Sequence, residues 1–171
     1  MSDIEARLAR VEAELAIQHT QARYAAFADA KYGADRQRVA AEAMTAAAVG
    51  QASCFTQDAV WEGGEFGGEI TGRTGLTEWF ARPPWHFALH YYLAPEFALD
   101  GNTAQTRWRL WQIGIRDGEV APVLLGGITR QRFERQFDGS WLIATMRFEQ
   151  VQIFPLSAGH MPVPVATEFS R

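Results

Sequence analysis

Ile4, Leu8, Val11 and Leu15 recur at spacings of four, three and four, which draws one apolar stripe along a long helix predicted over residues 2–30. The opposite face carries Glu5, Arg7, Arg10, Glu12 and Glu14, so its first half reads as a surface helix or a short coiled-coil contact. After Gly33 the Ala-rich segment Asp35–Val49, with Asp35 as N-cap, predicts a second helix ending at Gly50, and a helical turn over Gln51–Phe55. Ala59, Val60 and Trp61 then read as a strand entering a turn at Glu62-Gly63-Gly64, with Gly67-Gly68 and Ile70 as its return. Thr74–Phe80 is a short capped helix, halted by Pro83-Pro84.

Four long runs follow: His86–Leu99, Ala104–Arg116, Val123–Phe137 and Trp141–Phe154. Asp100-Gly101-Asn102, Asp117-Gly118 and Asp138-Gly139 separate them, and Gly or Asn supplies the positive φ that a hairpin turn demands. Helices first and a meander over residues 86–154 afterwards predict an α+β domain, a curved antiparallel sheet wrapped around N-terminal helices. The C-terminal tail, residues 155–171, Pro-rich from Pro155 to Pro164, either lies over the sheet or a neighbouring subunit or is disordered.

Composition narrows the reading. With 47% apolar residues in 171, the chain suits one domain with one core, spanning residues 1–171. The single Cys54 makes no internal bridge and no Cys/His cluster has zinc spacing, so neither a disulfide nor a metal is expected. A formal charge of −4 with no basic tract argues against a nucleic-acid partner; Lys31 is the only lysine, every other basic side chain being Arg or His. The charged, amphipathic start is unlike a secretory signal, and no window approaches the roughly 18 apolar residues of a membrane span. The expectation is a cytoplasmic protein with no membrane or nucleic-acid partner. Trp61, Phe66, Trp79, Trp85 and Trp108 would suit a cavity for an aromatic, terpenoid or steroid-sized ligand, although each also reads as ordinary core.

Alternation places His86, Ala88, His90 and Tyr92 on one strand face, and Trp108, Leu110 and Gln112 on one face of the next strand. Arg130 and Arg132 share a face, as do Thr145, Arg147 and Glu149, but periodicity does not say which faces point inward. Taken singly, each arginine reads as solvent-facing or ion-paired, and His90 as an ordinary core or surface histidine. Asp29 reads as a solvated acid near a helix end, where it opposes the helix dipole.

FTQDAVWEGG followed by ITGRTGLTEWF resembles the pattern of the SnoaL-like family in the nuclear transport factor 2-like superfamily. AIQHTQARYAAFAD, FALHYYLAPEFAL, LLGGITRQRFER, DGSW and IFPLSAGH resemble, in order and register, that family's hexachlorocyclohexane dehydrochlorinases, with scytalone dehydratases and bile-acid 7α-dehydratases sharing the architecture. The resemblance implies a cone-shaped fold around one pocket, no cofactor, and a His–Asp pair that falls on His90 and Asp29. It further implies pocket roles for Tyr24 and Arg147, to which the strand faces and the aromatic positions add Trp108, His86 and Arg130. Such a pair would remove a proton from a hydrophobic small molecule, giving a lyase or an isomerase. The Ala-rich stretch Val39–Val49 is longer than its counterpart in the dehydrochlorinases, which implies a reshaped pocket. The alternatives are a non-catalytic ligand-binding or assembly domain and the β subunit of a ring-hydroxylating oxygenase with an iron-bearing partner. A homodimer or homotrimer through Trp111, Ile113 and Ile115 is the expected assembly.

Overall fold

A computed structural model describes residues 2–64 and 66–156. Helix α1 (Asp3–Asp29) is followed by α2 (Ala41–Ala52), β1 (Phe55–Gly64), β2 (Gly68–Thr71), α3 (Gly72–Phe80), β3 (Trp85–Asp100), β4 (Thr103–Arg116), β5 (Pro122–Arg135) and β6 (Trp141–Pro155). The strands form one curved sheet in the order β2-β1-β6-β5-β4-β3, so β3 is an edge. The meander is antiparallel as its turn sequences require, and β1 joins its last strand, β6, in parallel. The expected tail lies outside the described residues beyond Leu156.

Helix α1 starts at a capping box: Ser2 Oγ accepts from the Glu5 N–H at 3.2 Å, and Glu5 Oε2 accepts from the Ser2 N–H at 2.7 Å. The stripe read from the sequence faces away from the sheet, with Ile4, Leu8, Val11 and Leu15 between 51% and 74% exposed. The buried line runs instead through Ala13, Ile17, Thr20, Gln21, Tyr24 and Ala28, on the half of the helix that crosses the sheet. There Thr20 Oγ1 donates to the Trp141 carbonyl at 2.7 Å, tying the helix to β6.

The second helix starts five residues later than expected, with Ala40 and not Asp35 at its N-cap. Asp35 Oδ1 accepts from the Gln37 N–H at 3.1 Å inside a loop closed by a Tyr32–Arg38 bridge, with Arg36 at φ 63°, so Asp35 stabilises a turn and caps no helix. The helix then runs on through Ala52, absorbing the separate turn expected over Gln51–Phe55, whose end is already strand.

Two bulges give β3 its bend. Register shifts between Trp85 and Phe87 and between Leu93 and Glu96, the second at Ala94 with φ 46°, and each reverses which alternate residues face inward. Thus Phe97, then Tyr92, His90 and Ala88, then Trp85 line the concave side. On β4 alternation is unbroken: Ala104, Thr106, Trp108, Leu110 and Gln112 are buried, and Arg107, Arg109 and Trp111 point outward. Phe55, Phe133, Ile17 and Leu76 are fully buried between helices and sheet, each contributing roughly 1.5–3 kcal/mol of burial free energy.

Candidate active site

The concave side encloses a cavity that every helix and five strands help to line. Tyr24, Ala28, Lys31 and Tyr32 come from the end of α1 and the turn after it, and Gln51 from α2. Trp61, Phe66, Trp79 and Phe80 form an aromatic wall; His90, Tyr92, Leu110, Gln112, Leu125 and Phe148 complete the sheet side.

Asp29 is the last residue of α1, an unfavourable place for an acid with respect to the helix dipole. Two bonds from one residue offset that cost. The His90 N–H donates to Asp29 Oδ1 at 3.0 Å, and His90 Nδ1 lies 2.7 Å from the same oxygen. The backbone bond is available because β3 is an edge strand, so the His90 N–H on its open side needs a partner other than β4. Side-chain exposures of 16% for His90 and 28% for Asp29 place the pair at the cavity wall, neither sealed in the core nor on the open surface. A carboxylate accepts and does not donate, so in the neutral imidazole this contact selects the tautomer with the proton on Nδ1 and a bare Nε2.

Further polar groups surround the pair. Gln112 is the cross-strand partner of His90, and its amide nitrogen is buried without a hydrogen-bond partner among the described residues. Burial pushes the Tyr24 phenol up to about 12, against the opposing pull of Gln51, Tyr92 and Trp61, and pushes Tyr32 and Tyr92 up as well. All three tyrosines are therefore neutral hydroxyl donors in neutral water. Lys31 is 4% exposed; its Nζ donates to Gln51 Oε1 at 2.5 Å and sits 5.1 Å from the centre of the Phe80 ring. Burial lowers its pKa to about 7, with the Asp29 charge pulling the other way.

Backbone packing shapes the rim. A Cβ on Gly114 would meet the Phe87 carbonyl oxygen at 2.9 Å and the Trp85 ring at 2.8 Å, so only glycine lets that indole lie across β4 into the cavity. Arg38 pins the same link, donating to the Pro83 and Trp85 carbonyls at 2.7 and 2.8 Å and to Asp117 at 2.6 Å.

The structure brings His90 and Tyr24 to one cavity, with Asp29 bonded to His90, and leaves four expected pocket residues outside it. Arg147 is 62% exposed on the outer face of β6, beside Glu62 and Glu149, and Arg130 pairs there with Glu149 at 2.8 Å. Both arginines alternate with inward residues, Met146 and Phe148 on β6 and Thr129 and Gln131 on β5. His86 falls in the first β3 bulge, which hands the inward position to Trp85. Trp108 is buried behind Tyr92, edge-on at 6.5 Å, with its indole N–H donated to Thr106 Oγ1, and packs as core. Lys31, Gln51, Gln112 and Tyr92 went unassigned in the sequence reading. For Lys31 the available signal was its singularity, a lone lysine two residues after Asp29 in a chain otherwise built with arginine.

The family profile described as a SnoaL-like domain matches residues 9–147, which take in α1 and all the strands as far as Arg147. Among solved structures, hexachlorocyclohexane dehydrochlorinase from Novosphingobium barchaimii superposes with a TM-score of 0.72 at 21% identity, covering 92% of this chain and 99% of that one. A protein assigned as a scytalone dehydratase from Novosphingobium aromaticivorans gives 0.69 at 14% identity, with 87% and 91% covered. A nuclear transport factor 2-like protein with a cystatin-like fold from the same organism gives 0.62 at 17%, with 85% and 86% covered. No curated protein matches the chain. At these identities the solved structures share the fold, and among the described residues no helix is long and apolar enough to cross a membrane. With the family profile spanning most of its length, from the second turn of α1 into β6, the chain belongs to the SnoaL-like family and has the nuclear transport factor 2-like fold.

Proposed function

We propose that this protein is a cofactor-independent lyase or isomerase in which His90 removes a proton from a hydrophobic small molecule and Asp29 orients it. One observation carries the reading: a carboxylate oxygen 2.7 Å from His90 Nδ1, at the wall of a cavity lined by Trp61, Phe66, Trp79 and Phe80. Held this way, imidazole presents bare Nε2 to the ligand, and the imidazolium formed on proton uptake is stabilised by the carboxylate. Departure of a β-substituent completes an elimination; return of the proton to another carbon completes an isomerisation. In this reading the neutral hydroxyls of Tyr24 and Tyr92, which line the cavity, take the role that the family resemblance implied for Arg147, as donors to charge developing on the substrate. The solved neighbours named as a dehydrochlorinase and a scytalone dehydratase agree with this reaction class.

The test is turnover and solvent-deuterium uptake for a panel of hydrophobic β-hydroxy ketones, β-halo ketones and simple cyclic ketones. His90→Gln is expected to lose about 10²–10⁴-fold in rate while still binding ligand. A His90→Gln protein as active as the parent would remove the general base and leave a binding protein.

A further inference from the structure

The mechanism above leaves Lys31 unused. The chain is otherwise basic only through Arg and His, yet at this position it buries a lysine in the wall of the cavity that His90 lines. Its neighbours do not explain it as a structural cation. The group in contact with Nζ is a neutral amide oxygen, on Gln51, and the Phe80 ring lies beneath it. Among the described residues no carboxylate is in ion-pair contact with Nζ, and Asp29, the nearest acid in sequence, is committed to His90. A methionine would fill the same volume without desolvating a charge, and an arginine would keep its charge under any condition. A lysine differs from both in being able to become a neutral amine, and its burial makes that form available in neutral water.

We propose that Lys31 is a second reactive group of this cavity, an amine that condenses with the carbonyl carbon of an aldehyde or ketone to form an imine. The proposal rests on the reading of this cavity as the reaction site and names its substrate class, a hydrophobic carbonyl compound with a hydrogen on the adjacent carbon. The Nζ lone pair adds to the carbonyl carbon and gives a carbinolamine after proton transfer from nitrogen to oxygen. Protonation of the carbinolamine hydroxyl and loss of water leave the C=N bond as an iminium. The unpartnered Gln112 amide is a donor for that oxygen before it departs. The iminium acidifies the adjacent C–H, His90 Nε2 takes that proton, and the C–H electron pair closes to a neutral enamine. Reprotonation and addition of water return the carbonyl compound and the free amine, so no oxidant or reductant is consumed. This joins both halves of the cavity in one sequence: Lys31 activates the carbon and His90 deprotonates it.

The experiment is reductive trapping on the full chain with benzaldehyde or cyclohexanone and cyanoborohydride, read by intact mass and peptide mapping. A single lysine makes the readout unambiguous, since the α-amino group is the one competing primary amine. The folded protein is expected to carry one reduced adduct, on Lys31, formed about tenfold faster than on the α-amino group and half-maximally near the pH at which a perturbed lysine titrates. Lys31→Arg should lose it, and urea-unfolded parent should shift the rate profile to that of an ordinary lysine. His90→Gln should keep it, because imine formation does not use the dyad. Trapping confined to the α-amino group, or a Lys31 rate still rising at about pH 9 in folded parent, overturns the proposal without reference to any variant. Lys31 trapping in a protein whose turnover ignores His90→Gln would overturn the general-base reading and the deprotonation step assigned to His90, and would leave imine formation at Lys31 standing.

Discussion

Replacing Lys31 by Met should make the protein more stable at neutral and acidic pH and flatten its dependence on pH. The folded protein holds Lys31 at about 7 against an ordinary 10.5. At roughly 1.36 kcal/mol per pKa unit, that difference is on the order of 5 kcal/mol, favouring the folded state when the amine is neutral. Because Lys31 is 4% exposed, solvent screening removes little of it. Between the two values the unfolded chain keeps a proton that the folded protein has released, so stability rises with pH across this window. The contribution is complete above the unfolded value and is lost as pH falls through the folded one. From about pH 7 to about pH 9 the gain is roughly 2 kcal/mol. Lys31→Met removes this titration and leaves Gln51 Oε1 without its donor, a loss of about 1–3 kcal/mol. Urea titrations of parent and variant at closely spaced pH values isolate the term, since all other groups are common to both. The expected result is a parent curve that climbs relative to the variant, with the variant the more stable below about pH 7. Parallel curves, or a parent that loses stability relative to the variant as pH rises, would refute the buried-amine reasoning.

Two further substitutions test how the fold frames the site. Gly114→Ala forces a methyl against the Phe87 carbonyl, which no rotamer change relieves, so a loss of about 1–3 kcal/mol and a displaced Trp85 fluorescence signal are expected from denaturant unfolding. On the outer face, Tyr91, Leu93, Trp111 and Phe154 are 47–52% exposed and Tyr91 pairs directly with Trp111, an apolar patch that suits a self-associating surface. Trp111→Glu is accordingly expected to lower the sedimenting mass to that of one chain, while a parent that already sediments as one chain would refute the assignment.

The meander was legible because three Asp–Gly turn sequences interrupt four long strand-forming runs, and the observed strand edges lie within two residues of those runs. What failed was sidedness. Period two says which residues share a face, and the bulges at Trp85–Phe87 and Leu93–Glu96 reverse the parity of β3 twice without any glycine to mark them. The first moved His86 off the cavity, and the second sets the register that puts Gln112 opposite His90. Arg130 and Arg147 were legible as strand residues but not as outward ones, because the inward face of β5 also carries polar side chains, Thr129 and Gln131, and the outward face of β6 also carries an aromatic one, Phe154. Asp35 fitted a helix cap equally well as a turn, and only the Tyr32–Arg38 bridge decides between them. His90 and Asp29 lie 61 residues apart, and it was family resemblance, not local pattern, that paired them. Lys31 carried no periodic signal because it lies just beyond the end of α1.

The central claim is that Asp29 fixes His90 with Nε2 bare towards the cavity, and the most direct measurement is nitrogen-15 NMR of the imidazole near neutral pH, in parent and Asp29→Asn. The account predicts a proton on Nδ1 and none on Nε2 in the neutral ring of the parent, with that preference lost or reversed when the carboxylate is replaced. A neutral His90 that carries its proton on Nε2, or a tautomer unaltered by Asp29→Asn, would contradict it.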